Sequence, residues 1–336
     1  MVIDKKKLLA KISKYTGFTS LCYFLNRYRK RVLAYHNIII DDLFDDSMHL
    51  DHSIKESNFK MHLKIIESKF DIDLNLSNKE SVTLTFDDGY LNQYLIGSKI
   101  LDEINAKGIF FCSEDLIIKD KGLKMDMIQF WLSYVKEGSY DLKKTNIRID
   151  INNENRRKEW NLLSNILLEG SISLNDIYSD LNEVYSFSKI IEKNKEIYEL
   201  RLKRISPKFL NNMKLKGHLI GAHSSKHNRL SDLSPKELKE DIELCKNELG
   251  KIYNTDIFCY PYGSEEDISN RVIEEIKSSG FKKAFLYGNF PLKKFSYNEY
   301  LMPRMILPNT SDKDLINFTL SGAKNMILFR KRLPKI

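Results

Sequence analysis

Ser81-Val82-Thr83-Leu84-Thr85-Phe86-Asp87-Asp88-Gly89-Tyr90 alternates apolar with small polar residues as far as Phe86. This is the period-two pattern of a half-buried strand, and Gly89 supplies the break that ends it. Asp87 and Asp88 therefore stand together at a strand's C-terminal tip. Adjacent carboxylates repel and are costly to desolvate together, so a buried pair requires a cation or a shared proton. Asp-Asp-Gly is equally the composition of a plain polar turn. What decides between the two is whatever else reaches the same place.

Downstream, Gly221-Ala222-His223-Ser224-Ser225-Lys226-His227 follows the short apolar run Leu219-Ile220, again a strand end. Histidines at i and i+4 share one side of a helical turn, a spacing that lets two imidazoles reach one metal ion, although such pairs are as often surface residues. Joined to strand-tip carboxylates, they complete three ligands of mixed nitrogen and oxygen type plus one spare carboxylate. That is the donor set of a hydrolytic zinc site with a base beside it.

The segments between repeat one rhythm. Tyr94 to Ile104 has a helical apolar pattern and Gly108 to Cys112 reads as the next strand, so a parallel βαβ unit surrounds Asp87. Arg31 to Ile40 reads as the first buried strand and contains His36; Phe59 to Ser68 reads as a helix. Ser206-Pro207 opens a helix to Lys214, and Ser234-Pro235-Lys236-Glu237 is a capping box starting a helix to about Leu249. Asp256 to Tyr260 is a strand that ends in Pro261-Tyr262-Gly263, and Leu301 to Leu307, with Arg304, is the last strand. Strands alternating with helices, with polar residues at the strand tips, indicate an α/β barrel. Residues 112–205 depart from this rhythm. They contain no proline and include helical stretches at Trp160 to Leu168 and Leu181 to Leu202, which predicts a mainly helical insertion over the strand tips.

Taken in order, Thr-Phe-Asp-Asp-Gly-Tyr, His-Ser-x-x-His and Tyr260-Pro261-Tyr262-Gly263 resemble the motifs of polysaccharide deacetylases of carbohydrate esterase family 4, over residues 31–111 and 206–310. The resemblance implies a distorted, incomplete (β/α) barrel of about seven strands and an acetylated amino sugar as substrate. It implies one divalent metal, Zn²⁺ foremost, held by Asp88, His223 and His227, with Asp87 as base and the backbone N–H of Tyr262 meeting the oxyanion. Tyr90, Tyr260 and Trp131 are the substrate-binding candidates; Trp131, with Phe130, either lines a sugar cleft or anchors the insertion. Typical members carry their general-acid histidine near the C-terminus, but no histidine follows His227 here. In a permuted subgroup that includes deacetylases of poly-N-acetylglucosamine, a Tyr-His segment precedes the Asp-Asp strand. Leu33-Ala34-Tyr35-His36 looks like that arrangement, which makes His36 the expected general acid, titrating near the ordinary imidazole value of about 6.5. A second departure is Cys259, which stands where the family has the arginine that steadies the base. Arg304 is the candidate substitute, with a structural ion pair as the competing account. Asp41, Asp42, Asp45 and Asp46, with His49 and His52, match no family ligand and read as a solvated or substrate-edge loop.

Composition bounds the rest. A chain of 336 residues with 42% hydrophobic and 30% charged residues can bury a sizeable core, which excludes intrinsic disorder. Cys22, Cys112, Cys245 and Cys259 lack paired or metal-ligand spacing and fit free thiols in a reducing compartment. No apolar stretch has signal-peptide or membrane-spanning quality, so the expected location is cytoplasmic. The net charge of +8 is uneven: residues 1–31 hold nine Lys or Arg against one Asp, and residues 324–336 hold five against none. Basic ends on an acidic body are not a nucleic-acid footprint. Leu8, Leu9, Ile12, Tyr15, Leu21, Tyr23, Phe24 and Leu25 intersperse those bases, either as a helix packing on the body or as an amphipathic segment on an anionic membrane, the inner membrane face, to which Met326 to Arg332 would add. The chain divides at 1–30, 31–111, 112–205, 206–310 and 311–336. The expected activity is deacetylation of a nucleotide- or lipid-linked amino sugar for surface-polysaccharide assembly. The alternative is an inactive deacetylase-fold protein that binds sugar or assists assembly at the membrane.

Overall fold

The computed structural model describes residues 4–44, 52–113, 117, 123–246, 256–264, 267–287 and 298–329. Its strands are β1 (Arg31–Tyr35), β2 (Asn37–Ile39), β3 (Ser53–Lys55), β4 (Asp71–Ile72), β5 (Ser81–Phe86), β6 (Gly108–Cys112), β7 (Gly138–Leu142), β8 (Ile147–Ile151), β9 (Leu219–Ala222), β10 (Ile257–Cys259) and β11 (Lys283–Phe285). The alternation of β5 is present but is not that of a half-buried strand, because all six residues are buried. Val82, Leu84 and Phe86 join the main apolar core with the helices. Thr83 and Thr85, on the other face, donate their hydroxyls to the carbonyls of Asp73 at 2.9 Å and Leu33 at 2.8 Å. Each small polar side chain finds a carbonyl, so neither needs water.

The sheet runs β1-β5-β6-β9-β10-β11, with every neighbouring pair parallel and β4 added beside β5. The sheet curls until both edges meet one segment: Met302 bridges Phe285 of β11, and Met305 bridges Leu33 of β1. Ala34 N–H donates to the Met305 carbonyl at 2.9 Å, and Met305 N–H donates to that of Val32 at 2.7 Å. Residues 301–305 thus stand in for a seventh strand with only bridging pairs, which leaves the barrel distorted and incomplete. Val32, Ile109, Phe111, Cys259, Phe285 and Met302 fill its interior.

The run Arg31 to Ile40 is not one strand. It splits at His36, where β1 stays in the barrel and β2 leaves to pair with β3. Asn92 fixes the split: its Nδ2 donates to Asn37 Oδ1 at 2.6 Å and its Oδ1 accepts from Ile38 N–H at 2.9 Å. Three helices expected from the sequence form as Glu56–Glu67, Pro207–Leu215 and Pro235–Leu244, the last with both halves of its capping box formed. Tyr94 to Ile104 opens with a π-type segment, Gln93–Ser98, before the α-helix Lys99–Glu103. The four cysteines are buried free thiols, and among the described residues no helix is long and apolar enough to cross a membrane.

Within 112–205 the described residues are mainly helical, as expected, but include the antiparallel hairpin β7–β8, which the helical pattern did not indicate. Leu181 to Leu202 belongs to three helices rather than one, Leu174–Val184, Phe187–Lys193 and Lys195–Leu202. This part has its own apolar core. Trp131 belongs to that core: it is 0% exposed, and its Nε1–H donates to the Tyr185 carbonyl at 2.7 Å. It anchors the insertion and does not reach the cleft, which corrects its candidacy as a sugar contact.

Gly221 in β9 is required by the barrel interior, because a Cβ there would lie 2.4 Å from the Phe111 ring. Gly221→Ala is expected to destabilise the protein by about 1–3 kcal/mol through overpacking, with partial rescue by Phe111→Leu, read from denaturant midpoints.

Candidate active site

Two pairings continue one residue past their strands and fix the tips: Asp87 N–H donates to the Tyr35 carbonyl at 3.0 Å, and His223 N–H to that of Cys112 at 3.0 Å. Beyond Asp87 the backbone turns sharply, with φ of 73° at Asp88 and 66° at Gly89. Aspartate tolerates this left-handed region, and Gly89 is needed because a Cβ would lie 3.1 Å from Cys112 Sγ. The turn sends the two carboxylates to different partners.

Asp88 Oδ1 lies 3.3 Å from His223 Nε2 and 3.1 Å from His227 Nε2, and makes no hydrogen bond. His223 Nδ1–H donates to the Cys259 carbonyl at 2.8 Å, which turns the Nε2 lone pair toward Asp88. The three ligand atoms lie within 4.8 Å of one another. Burial would raise the Asp88 pKa, but the two imidazoles hold it well below the usual carboxylate range. Burial would likewise lower that of His223, but the Cys259 sulfur and Asp88 raise it well above the usual value. The cluster draws in positive charge, which a proton or a divalent cation can supply. Two imidazoles and a carboxylate aimed at one point fit Zn²⁺.

The two histidines do not share a helical turn, as their spacing suggested. Ser224 and His227 have φ of 60° and 57°. The loop is pinned instead by buried Asp241, whose carboxylate accepts from Ser225 N–H at 2.9 Å, Ser225 Oγ at 3.0 Å and Asn228 Nδ2 at 3.1 Å.

Asp87 points into the top of the barrel. Arg304 Nη1 and Nη2 donate to its Oδ1 and Oδ2 at 2.7 and 2.6 Å, while Nε donates to the Leu286 carbonyl at 2.6 Å and Nη1 to Thr85 Oγ1 at 3.0 Å. Burial would raise the Asp87 pKa, but the Arg304 charge outweighs it and keeps the carboxyl ionised. His36 Nε2 lies 3.6 Å from Asp87 Oδ2. Gln93 Nε2 ties the two tips, donating to the His36 carbonyl at 3.1 Å and to that of Asp87. His36 does not titrate at the ordinary value: burial lowers its pKa to about 4 against the pull of Asp87 and Asp88.

A cleft of about 1030 Å³ opens between these tips and the insertion. Tyr262, with φ of 61°, lines it, and its ring packs on His227 at 5.2 Å. Tyr90 and Tyr260 line it too, but their hydroxyls are engaged, with Asp126 Oδ2 at 2.8 Å and the Tyr300 carbonyl at 2.9 Å. The insertion's tryptophan on the cleft is Trp160. The sequence reading also missed Tyr287, whose hydroxyl meets His52 Nδ1 at 2.7 Å beside His36, and Arg204. Tyr287 stands two residues beyond β11, and the strand-tip rule applied to every strand would have found it. Arg204 carries no local signal. Asp41 and Asp42 are exposed, and His52 faces the cleft, whereas Asp45, Asp46 and His49 lie outside the described residues.

A curled parallel barrel carries at its strand tips a carboxylate–imidazole cluster and a second, ionised carboxylate, an arrangement suited to hydrolysis. A family model, polysaccharide deacetylase, matches residues 183–284, which contain His223, His227 and Tyr262. That match covers less than half of the chain, and over those residues the chain is similar to polysaccharide deacetylases, hydrolases acting on amide bonds. Among solved structures it is similar in fold to the Streptococcus pyogenes deacetylase PplD in complex with acetate, at 14% identity over 87% of this chain and 97% of that one, with a TM-score of 0.55. A Bacillus anthracis protein described as a polysaccharide deacetylase is similar at 14% identity over 87% and 68%, with a TM-score of 0.52. A search of curated proteins finds no match.

Arg304→Met leaves a buried carboxylate uncompensated and is expected to cost about 3–5 kcal/mol of stability, read by denaturant unfolding. Arg304→Lys keeps the charge but not the two-point geometry; it is expected to lower kcat far more than it raises KM, with metal content unchanged.

Proposed function

We propose that the protein removes the N-acetyl group of an acetamido sugar, using a divalent metal held by Asp88, His223 and His227. The observation that carries this reading is the convergence of both Nε2 atoms on Asp88 Oδ1, beside an Asp87 kept ionised by Arg304. A divalent ion bound there would polarise the acetamide carbonyl and acidify a water. Asp87 receives the proton of the attacking water at a carboxylate oxygen. The backbone N–H of Tyr262 donates to the carbonyl oxygen as charge develops on it. His36 Nε2, beside Asp87 Oδ2, passes a proton to the departing nitrogen; since burial keeps this imidazole neutral at rest, it takes up that proton during the reaction.

The cleft is larger than one acetamido sugar requires, and Lys124, Arg201, Lys226 and Arg229 line it alongside Asp126, Glu169 and Asp267. Arg229 is engaged by Asp267 at 2.7 Å and Arg201 by Gln129, so it is Lys124 and Lys226 that support a diphosphate-linked substrate, shared chemistry of a nucleotide sugar and a lipid-linked precursor in surface-polysaccharide assembly on the cytoplasmic side. Acetate release from nucleotide sugars, lipid-linked precursors and chitooligomers tests this, and activity confined to long polymer would sink it.

Asp87→Asn is expected to abolish turnover while metal analysis still finds the ion, whereas Asp88→Ala loses it. If both lost metal equally, the division of roles would be wrong. His36→Ala is expected to lower kcat by roughly 10²- to 10⁴-fold on an amide and far less on an activated ester, whose leaving group needs no proton. Equal losses on both substrates would make His36 a structural residue.

A further inference from the structure

The uneven charge of the chain resolves into a surface. Helices Lys5–Tyr15 and Phe18–Leu25 pack with Lys313–Leu320 and Ala323–Phe329 around Ala10, Cys22, Leu315, Phe318 and Ala323. In Lys5–Tyr15 the fully buried residues are small, Ala10 and Ser13, while Leu8, Ile12 and Tyr15 are 46, 50 and 84% exposed. Their spacing of four and three puts them on one face. A helix packed for stability alone does the reverse. Leu21, Phe24 and Tyr28 are exposed in the same way. Lys5 and Lys11 flank these residues on the helix, Lys7 stands at its side and Arg27 follows Phe24, all of them exposed, and 5–29 contains no Asp or Glu.

We propose that this face docks on an anionic lipid bilayer, its apolar side chains entering the boundary between headgroups and acyl chains and its lysines meeting lipid phosphates. Charge complementarity selects the occupant, since a second copy of the chain would set the same cations against one another. The face adjoins the end of β1 away from Asp87, where Arg31 Nε–H donates to the Leu320 carbonyl at 2.9 Å. None of the residues named on the face lines the cleft, so docking leaves the cleft open to solution.

Cosedimentation of the full chain with vesicles tests this. Binding is expected to equimolar phosphatidylglycerol and phosphatidylcholine but not to phosphatidylcholine alone, and to vanish at about 1 M salt, where the Debye length is about 3 Å. Replacing Lys5, Lys7 and Lys11 by Gln is expected to weaken it roughly a hundredfold, about fivefold per lysine. Ile12→Asn with Phe24→Asn should weaken it as well, at unchanged Tm because both side chains are exposed. Equal binding to neutral vesicles, no binding to either kind, or indifference to the lysine variant would overturn the proposal. So would a concentration-dependent dimer in sedimentation velocity that Ile12→Asn abolishes, since the face would then belong to a second copy.

Discussion

Two carboxylates on consecutive residues, both buried at one strand tip, cannot share a single neutralising partner without losing one of their two functions. The fold separates them by the sharp turn that follows β5, where Asp87 keeps the line of the strand and Asp88 takes a left-handed backbone. Asp87 continues the inward series of Thr83 and Thr85 and meets Arg304 inside the barrel. Asp88 lies beyond the turn and meets two imidazoles. One carboxylate is thereby satisfied by a permanent cation that the chain itself provides. The other faces two imidazoles. The guanidinium keeps Asp87 ionised, and His36 Nε2 stands 3.6 Å from its Oδ2.

The same turn ties the barrel to the insertion. Arg204 donates Nη1 to the Asp88 carbonyl at 3.1 Å and Nη2 to Asp126 Oδ2 at 3.1 Å, and its guanidinium lies 4.2 Å from the centre of the Tyr90 ring. Leu91 N–H donates to the Lys203 carbonyl at 2.7 Å and Ile205 N–H to that of Gly89 at 2.8 Å. The left-handed backbone at Asp88 is therefore held from outside the barrel as well as by its own glycine. A residue in such a conformation persists only when its surroundings over-determine it. The insertion both walls the cleft and braces the turn that aims a ligand.

The strand tips were legible because they rest on short-range rules: alternation, a glycine break, an apolar run before a polar motif. Asp87, Asp88, His223 and His36 are brought together by those rules acting on parallel neighbours. What was not legible depended on distant pairing. The split at His36 follows from Asn92, and the left-handed loop at Ser224 and His227 follows from Asp241, each remote in sequence. Between two tryptophans of similar local context, the pattern named Trp131 where the cleft has Trp160, because burial in a small separate core is set by packing among helices whose ends composition does not mark. The titration of His36 was misjudged for the same reason, since an imidazole's environment is not written in its neighbours.

Cys259 stands close to Asp87 without supplying its cation. Cys259 Sγ lies 3.8 Å from both Asp87 oxygens, on β10, in the barrel interior. A guanidinium rooted there would have to fit beside the carboxylate from the strand itself. With a small thiol at that position, the space is open to Arg304, which enters from the segment that closes the barrel between β11 and β1. Its Nε is held by the carbonyl of Leu286, just beyond β11, and its Nη1 by the Oγ1 of Thr85 in β5, so its two-point contact with Asp87 depends on closure. The interaction that keeps Asp87 ionised is thus also one that fastens the last, irregular segment to the centre of the sheet, and a barrel that failed to close there would lose this ion pair and its seam together.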